Sequence, residues 1–222
     1  SGVQDKMHMD GLLIAYGQTE TSPLSCMTAF DEPLEKRVTT VGKVLRHTEV
    51  KIIDTEGEVV ECGVPGELCT RGYCVMVGYW NDEEKTHSTI DSEGWLHSGD
   101  LATMDGEGYV SIVGRSKDLI IRGGENIFPR DIEDILHGLD SIEDVAIFGV
   151  KDDYYGEVVC AWVITAQGHT CEEETIRHYL SERLSHFKIP SIIRFVDKFP
   201  LTVTGKLQKY KMREMMEEEL GL

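Results

Sequence analysis

The sequence predicts an α+β fold built in two parts: a distorted, barrel-like β-rich piece, then a compact α+β domain. Three observations carry that expectation. Short β-branched runs punctuated by Gly and Pro turn signals fill residues 41–78. A polar, charged junction, Gly-Arg-Ser-Lys-Asp at 114–118, then breaks the pattern. Beyond it, apolar strand-like runs alternate with segments of helical spacing.

In chain order, residues 11–20 read as an apolar strand, Leu-Leu-Ile-Ala-Tyr, running into a glycine-containing turn. The runs 50–54 (VKIID) and 66–70 (GELCT) read as strands, with turns at Glu56-Gly57, Val64-Pro65-Gly66 and Arg71-Gly72. A polar helical stretch follows Asn81 and leads into SEGWLHSGD, residues 92–100. A hairpin is expected from Leu101–Met104 and residues 109–114 around the turn Asp105-Gly106-Glu107-Gly108. The sequence therefore suggests three regions: 1–42, the remnant of an α/β subdomain; 43–114, the β-rich piece; and 115–222, the α+β domain.

Within that last region Asp118–Arg122 reads as a strand and residues 123–128 (GGENIF) as a loop. Pro129 suits the first position of a helix through Leu136, where a missing N–H costs nothing. Ile142–Val150 and Val158–Thr165 read as strands. Thr170 with Glu173 reads as a capping box before a helix whose apolar face is Ile176, Leu180 and Leu184. A strand at Ile192–Val196 and a charged helix at Leu207–Leu220 complete the chain.

Composition narrows the function. The 222 residues carry a net charge of −18 with 41% hydrophobic content, which suits a folded domain and argues against nucleic acid as a partner. The apolar runs are too short for a transmembrane segment. Six cysteines without a Cys-x-x-Cys pair suggest thiols in a reducing compartment, holding no metal. Charge is uneven: residues 183–213 hold eight basic side chains against one acid, a concentration able to attract a polyphosphate locally.

Four stretches then appear in a telling order: YGQTE at Tyr16–Glu20, GWLHSGDL at Gly94–Leu101, GRSKDLIIRGGENIFP at Gly114–Pro129, and PLTVTGK at Pro200–Lys206. Together they resemble the adenylate-forming superfamily of acyl-CoA synthetases, peptide-synthetase adenylation domains and luciferases. The wording GYCVMVGYW at 72–80 and SHFKIP at 185–190 is most similar to the medium-chain fatty acyl-CoA synthetase branch. Members also carry an upstream Ser/Thr/Gly-rich phosphate loop and an acyl-pocket segment. This chain has neither, so the resemblance implies the C-terminal part of such an enzyme. The isolated chain is expected to be inactive, with the N-terminal part of the same enzyme as its natural partner.

The resemblance implies a reaction and a role for each matching residue. A fatty or other carboxylic acid and ATP give an acyl-adenylate and pyrophosphate, and the thiol of coenzyme A then displaces AMP. Lys206 is the implied catalytic cation at the carboxylate and α-phosphate, and Thr19 offers its hydroxyl to a phosphate oxygen. Tyr16 would lie on adenine, while Asp100 and Arg115 reach the ribose. Glu20 is the implied Mg²⁺ ligand. Lys117 matches the hinge about which the C-terminal domain turns, and Gly123, Gly124 and Glu125 match the wall of the pantetheine channel. Two alternatives stand beside this reading, an adenylation domain serving a carrier-protein thiol and a non-catalytic binding module. The expected location is cytoplasmic, or the mitochondrial matrix in a eukaryote.

Overall fold

The computed structural model describes residues 11–222. The chain divides into two compact units, Ser1–Ser116 and Lys117–Leu222. The fold class is α+β.

The first unit opens with a small antiparallel ribbon of β1 (Ala15–Tyr16), β2 (Cys26–Met27) and β3 (Lys43–Val44), with helix α1 (Leu34–Thr39) between the last two. The strand expected over residues 12–16 is shorter than its apolar run. The backbone N–H of Ile14 is taken by the Thr28 hydroxyl instead of a ladder carbonyl. Next comes an antiparallel meander of β4 (Thr48–Ile53), β5 (Gly66–Gly72), β6 (Leu96–Met104) and β7 (Val110–Arg115). This sheet is open, and Val110 on β7 exchanges backbone bonds with Val41 and Gly42 just ahead of β3, in keeping with a distorted, barrel-like piece that does not close.

Period-2 alternation sorts the meander's side chains. Ile52 and Leu68, paired across β4 and β5, join Cys26, Ala102 and Val110 in one core, against which Tyr16 packs. Their neighbours Lys51 and Cys69 turn to the other face, where Cys69 packs with Ile53 and Trp95. Helix α2 (Glu83–Thr89) follows Asn81; Asp82 caps it by accepting from the Lys85 N–H at 2.9 Å.

The second unit is a sheet of β8 (Ile120–Arg122), β9 (Glu125–Ile127), β10 (Ile142–Asp152), β11 (Gly156–Thr165) and β12 (Ile192–Phe195), in the order β10-β11-β8-β9 with β12 parallel to β11. Its spine is the hairpin of β10 (Ile142–Asp152) and β11 (Gly156–Thr165). Residues 145–150 are buried without interruption because both faces are covered. Val145, Ile147, Val159, Ala161 and Val163 face α3 (Pro129–Leu136) and α4 (Glu173–Ser181), through Ile132, Leu136, Ile176 and Leu180. Ala146, Phe148, Val150, Cys160 and Trp162 face α5 (Lys209–Leu220), through Met212 and Met216. Each large side chain so buried contributes about 1.5–3 kcal/mol.

Three local expectations change. Residues 116–118 form a 3₁₀ turn, so the strand there, β8, is Ile120–Arg122. The expected loop after it contains another strand, β9 (Glu125–Ile127), because Ile127 has a buried place beside Ile120. The Thr170–Glu173 capping box does not form: the residue preceding the helix is Glu172, without a side-chain cap. Leu184 lies beyond the helix end yet still packs against its core. Among the described residues, no helix is long and apolar enough to cross a membrane.

Candidate functional site

In the first unit the candidate residues converge on one carboxylate. Asp100 is 5% exposed and sits on β6 directly opposite Arg115 on β7. Its Oδ1 pairs with Arg115 Nε at 2.9 Å. Its Oδ2 accepts from the Tyr16 hydroxyl at 2.7 Å and from Gln18 Nε2 at 2.8 Å. The buried charge is thus met by a cation and two neutral donors. Burial, and then the bond to Asp100, push the Tyr16 phenol well above its usual range. Gln18 also donates to the carbonyl of Ser98 at 2.9 Å, so one amide ties the Tyr16–Glu20 turn to the Ser98–Asp100 segment.

Thr19 and Glu20 stand on the 3₁₀ turn Thr19–Thr21 that follows, and Thr19 is exposed. Glu20 Oε1 accepts from the Tyr79 hydroxyl at 2.9 Å; burial, with this bond second, raises the Tyr79 pKa. The other face of the meander holds a second group: Glu67, Cys69 and His97 have donor atoms within 4.8 Å of one another. Burial, with Glu67 as the next cause, pushes the Cys69 thiol up to about 12. Both oxygens of Glu67 are already engaged, by the Gly99 N–H and by His97 Nδ1, each at 2.9 Å. The group is accordingly a hydrogen-bonded cluster.

In the second unit Lys206 sits on a tight loop. Leu201 and Leu207 form a β-bridge, the Thr202 N–H reaches the Lys206 carbonyl at 2.8 Å, and the Lys206 N–H reaches Thr202 Oγ1 at 3.0 Å. Gly205, at φ +80°, makes the turn possible. Three residues on, Lys209 opens α5 and pairs with Glu133 at 2.7 Å, both largely buried; the same Glu133 oxygen accepts from the Ile147 N–H. The loop's exit is thereby pinned to α3 and β10.

The basic run reads differently in three dimensions. Arg183, Lys188, Arg194, Lys209 and Arg213 each pair with an acid, namely Glu182, Asp131, Glu219, Glu133 and Glu157. Those acids lie outside the run, so much of its local charge is neutralised. Among the described residues, Lys206 has no ion-pair partner.

Gly123 and Gly124 form the two-residue turn between β8 and β9, at φ +59° and +88°. Positive φ at both central positions is the type I′ requirement, which a glycine pair meets without steric cost. Glu125, paired with Arg122 across the turn, is exposed. Lys117 is exposed and is the first residue of its unit.

Sequence reasoning passed over Gln18 and Glu67. Gln18 stood inside a recognised motif, and that was its signal. Nothing local marks Glu67, whose partners lie 30 and 32 positions away.

These two units, with their carboxylate and lysine loop, match known proteins over almost their whole length. The family model "AMP-binding enzyme" matches residues 3–80, and "AMP-binding enzyme C-terminal domain" matches residues 131–206. The chain belongs to this family of AMP-binding enzymes. Among its relatives, the mitochondrial medium-chain acyl-CoA ligase ACSF2 of Bos taurus is 47% identical over 98% of this chain. The putative acyl-CoA synthetase YngI of Bacillus subtilis is 44% identical over 99%. The chain spans 36% and 40% of those two proteins. Of solved structures, ATP-bound MatB from Rhodopseudomonas palustris superposes with a TM-score of 0.87 at 35% identity, over 93% of this chain and 41% of that one. MenE from Bacillus subtilis, an o-succinylbenzoate CoA synthetase in complex with its acyl-adenylate intermediate, gives 0.83 at 29% identity, over 95% and 43%.

Proposed function

We propose that this chain is the C-terminal portion of an AMP-forming acid–CoA ligase acting on fatty acids. The observation that carries the reading is Asp100, a nearly buried carboxylate held by Tyr16, Gln18 and Arg115 in a chain 47% identical to a medium-chain acyl-CoA ligase. A carboxylate oxygen accepts two bonds. Oδ2 has its two, while Oδ1 takes Arg115 Nε, which leaves capacity there for a ribose hydroxyl. Arg115, about half exposed, stands where it can follow that hydroxyl. The partly buried Tyr16 ring serves as the flat partner on which adenine lies.

In the first half-reaction a carboxylate oxygen of the acid bonds to the α-phosphorus of ATP as the bond to pyrophosphate breaks. Negative charge grows on the phosphorus-bound oxygens, and the Lys206 ammonium, with the Thr19 hydroxyl, stabilises it. The Thr202–Lys206 hydrogen bonds and the Lys209–Glu133 pair fix the loop that carries this cation. Glu20 fits Mg²⁺: Oε1 is steadied by Tyr79, and one or two carboxylates are what this ion takes from a protein when phosphates supply the rest. The ion would add charge neutralisation on the phosphates.

In the second half-reaction the sulfur of coenzyme A bonds to the acyl carbon and AMP leaves. Gly123, Gly124 and Glu125 line the thiol's approach after the unit beginning at Lys117 turns about that residue. The internal layout of the second unit favours such an exchange. The β8–β9 hairpin packs its Ile120 and Ile127 with α3 and α4, whereas the Lys206 loop leads into α5 on the opposite face of the sheet. The mitochondrial name of ACSF2 supports a mitochondrial location for a eukaryotic protein of this kind.

The test uses the full-length protein that carries this chain. Lys206→Ala is expected to slow ATP–pyrophosphate exchange by about 10²–10³, roughly 3–4 kcal/mol for one preorganised charge-stabilising group. Thioester formation from supplied acyl-adenylate should change far less. Equal losses in both half-reactions, or none in either, overturn the assignment.

A further inference from the structure

The segment that carries Asp100 is not regular strand. Glu67 on β5 faces Leu101, and Cys69 faces His97, so the two positions from 67 to 69 are matched by four on β6. Ser98, Gly99 and Asp100 stand against Leu68 alone, two residues in excess, and Gly99 takes φ +69°. An added Cβ there would find its nearest atom, Ser116 Oγ, at 3.8 Å, so glycine is needed for its conformation and not for space. Bulges of this kind re-aim a side chain. The one re-aimed here is Asp100.

A bulge has lost ladder bonds, and its N–H groups need other partners. Ser98 Oγ takes the Asp100 N–H at 3.1 Å, and Ser116 Oγ donates to the Gly99 carbonyl at 3.0 Å. The Gly99 N–H goes to Glu67 Oε1 at 2.9 Å. Glu67 Oε2 lies 2.9 Å from His97 Nδ1; a carboxylate only accepts, so Nδ1 carries the proton. Asp91 lies 3.8 Å from the same ring's Nε2, on the far side from Glu67. One carboxylate thus grips the bulge at its entry, His97, and at its centre, Gly99.

We infer that Glu67 is a positioning residue for nucleotide recognition: by holding both points of the bulge it keeps Asp100 aimed at the ribose. The inference rests on the reading of Asp100 as the ribose acceptor. A carboxylate suits the task because both of its contacts are donors, and a charged acceptor holds an N–H more tightly than a neutral one.

The experiment compares the full-length protein that carries this chain with its Glu67→Met variant, which keeps bulk but has no oxygen acceptor, and its Glu67→Gln variant, which keeps one acceptor for Gly99. Two quantities are read: hydrogen exchange of the Gly99 amide by NMR, and affinity for AMP against 2′,3′-dideoxyadenosine monophosphate. The methionine variant should exchange the Gly99 amide about tenfold faster or more, and lose about tenfold in AMP affinity, the order expected for one charge-assisted bond. The dideoxy nucleotide should bind it as it binds the parent. Glu67→Gln should restore both readings to within about threefold, the order expected when a neutral acceptor replaces a charged one. Unchanged Gly99 exchange in the methionine variant overturns the inference, as does an equal loss for both nucleotides. If the parent protein does not favour AMP over the dideoxy form, the ribose reading of Asp100 fails, and the exchange of Gly99 alone then decides whether Glu67 holds the bulge.

Discussion

The Tyr16 hydroxyl donates to Oδ2 of Asp100 at 2.7 Å, joining residues 84 positions apart. The ring of the same tyrosine packs against the core formed by Cys26, Ile52, Leu68, Ala102 and Val110. One side chain therefore links the packing of the first unit to the geometry of its carboxylate. Tyr16→Phe keeps the packing and removes the bond, so it should cost about 1.5–3 kcal/mol, the range for hydrogen bonds to charged groups. The midpoint of urea unfolding measures this, and an unshifted midpoint shows that the bond adds nothing.

The turn between β8 and β9 makes a sharper demand. Gly123 and Gly124 both hold positive φ, so alanine at either position should cost about 1–2 kcal/mol. Asparagine at Gly124, at φ +88°, should cost less because its short polar side chain tolerates this region. Urea unfolding of the three variants checks the ranking; alanine and asparagine behaving alike would contradict it.

Three buried thiols predict an alkaline weakness. Burial pushes Cys26 up to about 11, and Cys69 and Cys160 up to about 12. In the unfolded chain a thiol loses its proton near about 8.5. Between those values the unfolded state binds fewer protons than the folded one, so stability falls as pH rises. It is whole below about pH 8 and should decline from pH 9 toward 11. Urea midpoints across that range should show the decline, with a shallower slope in Cys160→Ala. A flat profile, or one rising with pH, contradicts it.

The hinge reading has its own test in the full-length protein. Proline fixes φ near −65°, so Lys117→Pro should lock one arrangement of the unit that begins there. One half-reaction, adenylation or thioester formation, should survive while the other falls by at least about tenfold, the scale at which mispositioned reactants lose rate. Separate assays of the two steps decide it, and normal rates in both rule this hinge out.

How much was legible in advance depended on whether the signal was local. The β10–β11 hairpin and the start of α3 at Pro129 were readable because burial on both faces writes a continuous apolar run, and a proline suits only certain backbone positions. β9 was not, since Glu125-Asn126-Ile127 holds a single apolar residue and becomes a strand only through its register with Ile120–Arg122. The Thr170–Glu173 pair carried a capping signature, yet the chain enters α4 through Glu172. Pairing and packing outweighed the local preference in both places.

The amino-acid order alone determined the chemistry on offer: the YGQTE turn, the Asp100 carboxylate, the glycine pair and the lysine in its Thr/Gly loop. Tertiary structure decided what meets what. It brought Gln18 to Asp100, set Glu67 behind Gly99, left the four-stranded sheet open, and paired most of the basic run with acids elsewhere in the chain. Residue type and short-range periodicity are recorded along the chain, whereas a hydrogen bond between positions about 30 to 80 apart exists only once the strands between them have found their register.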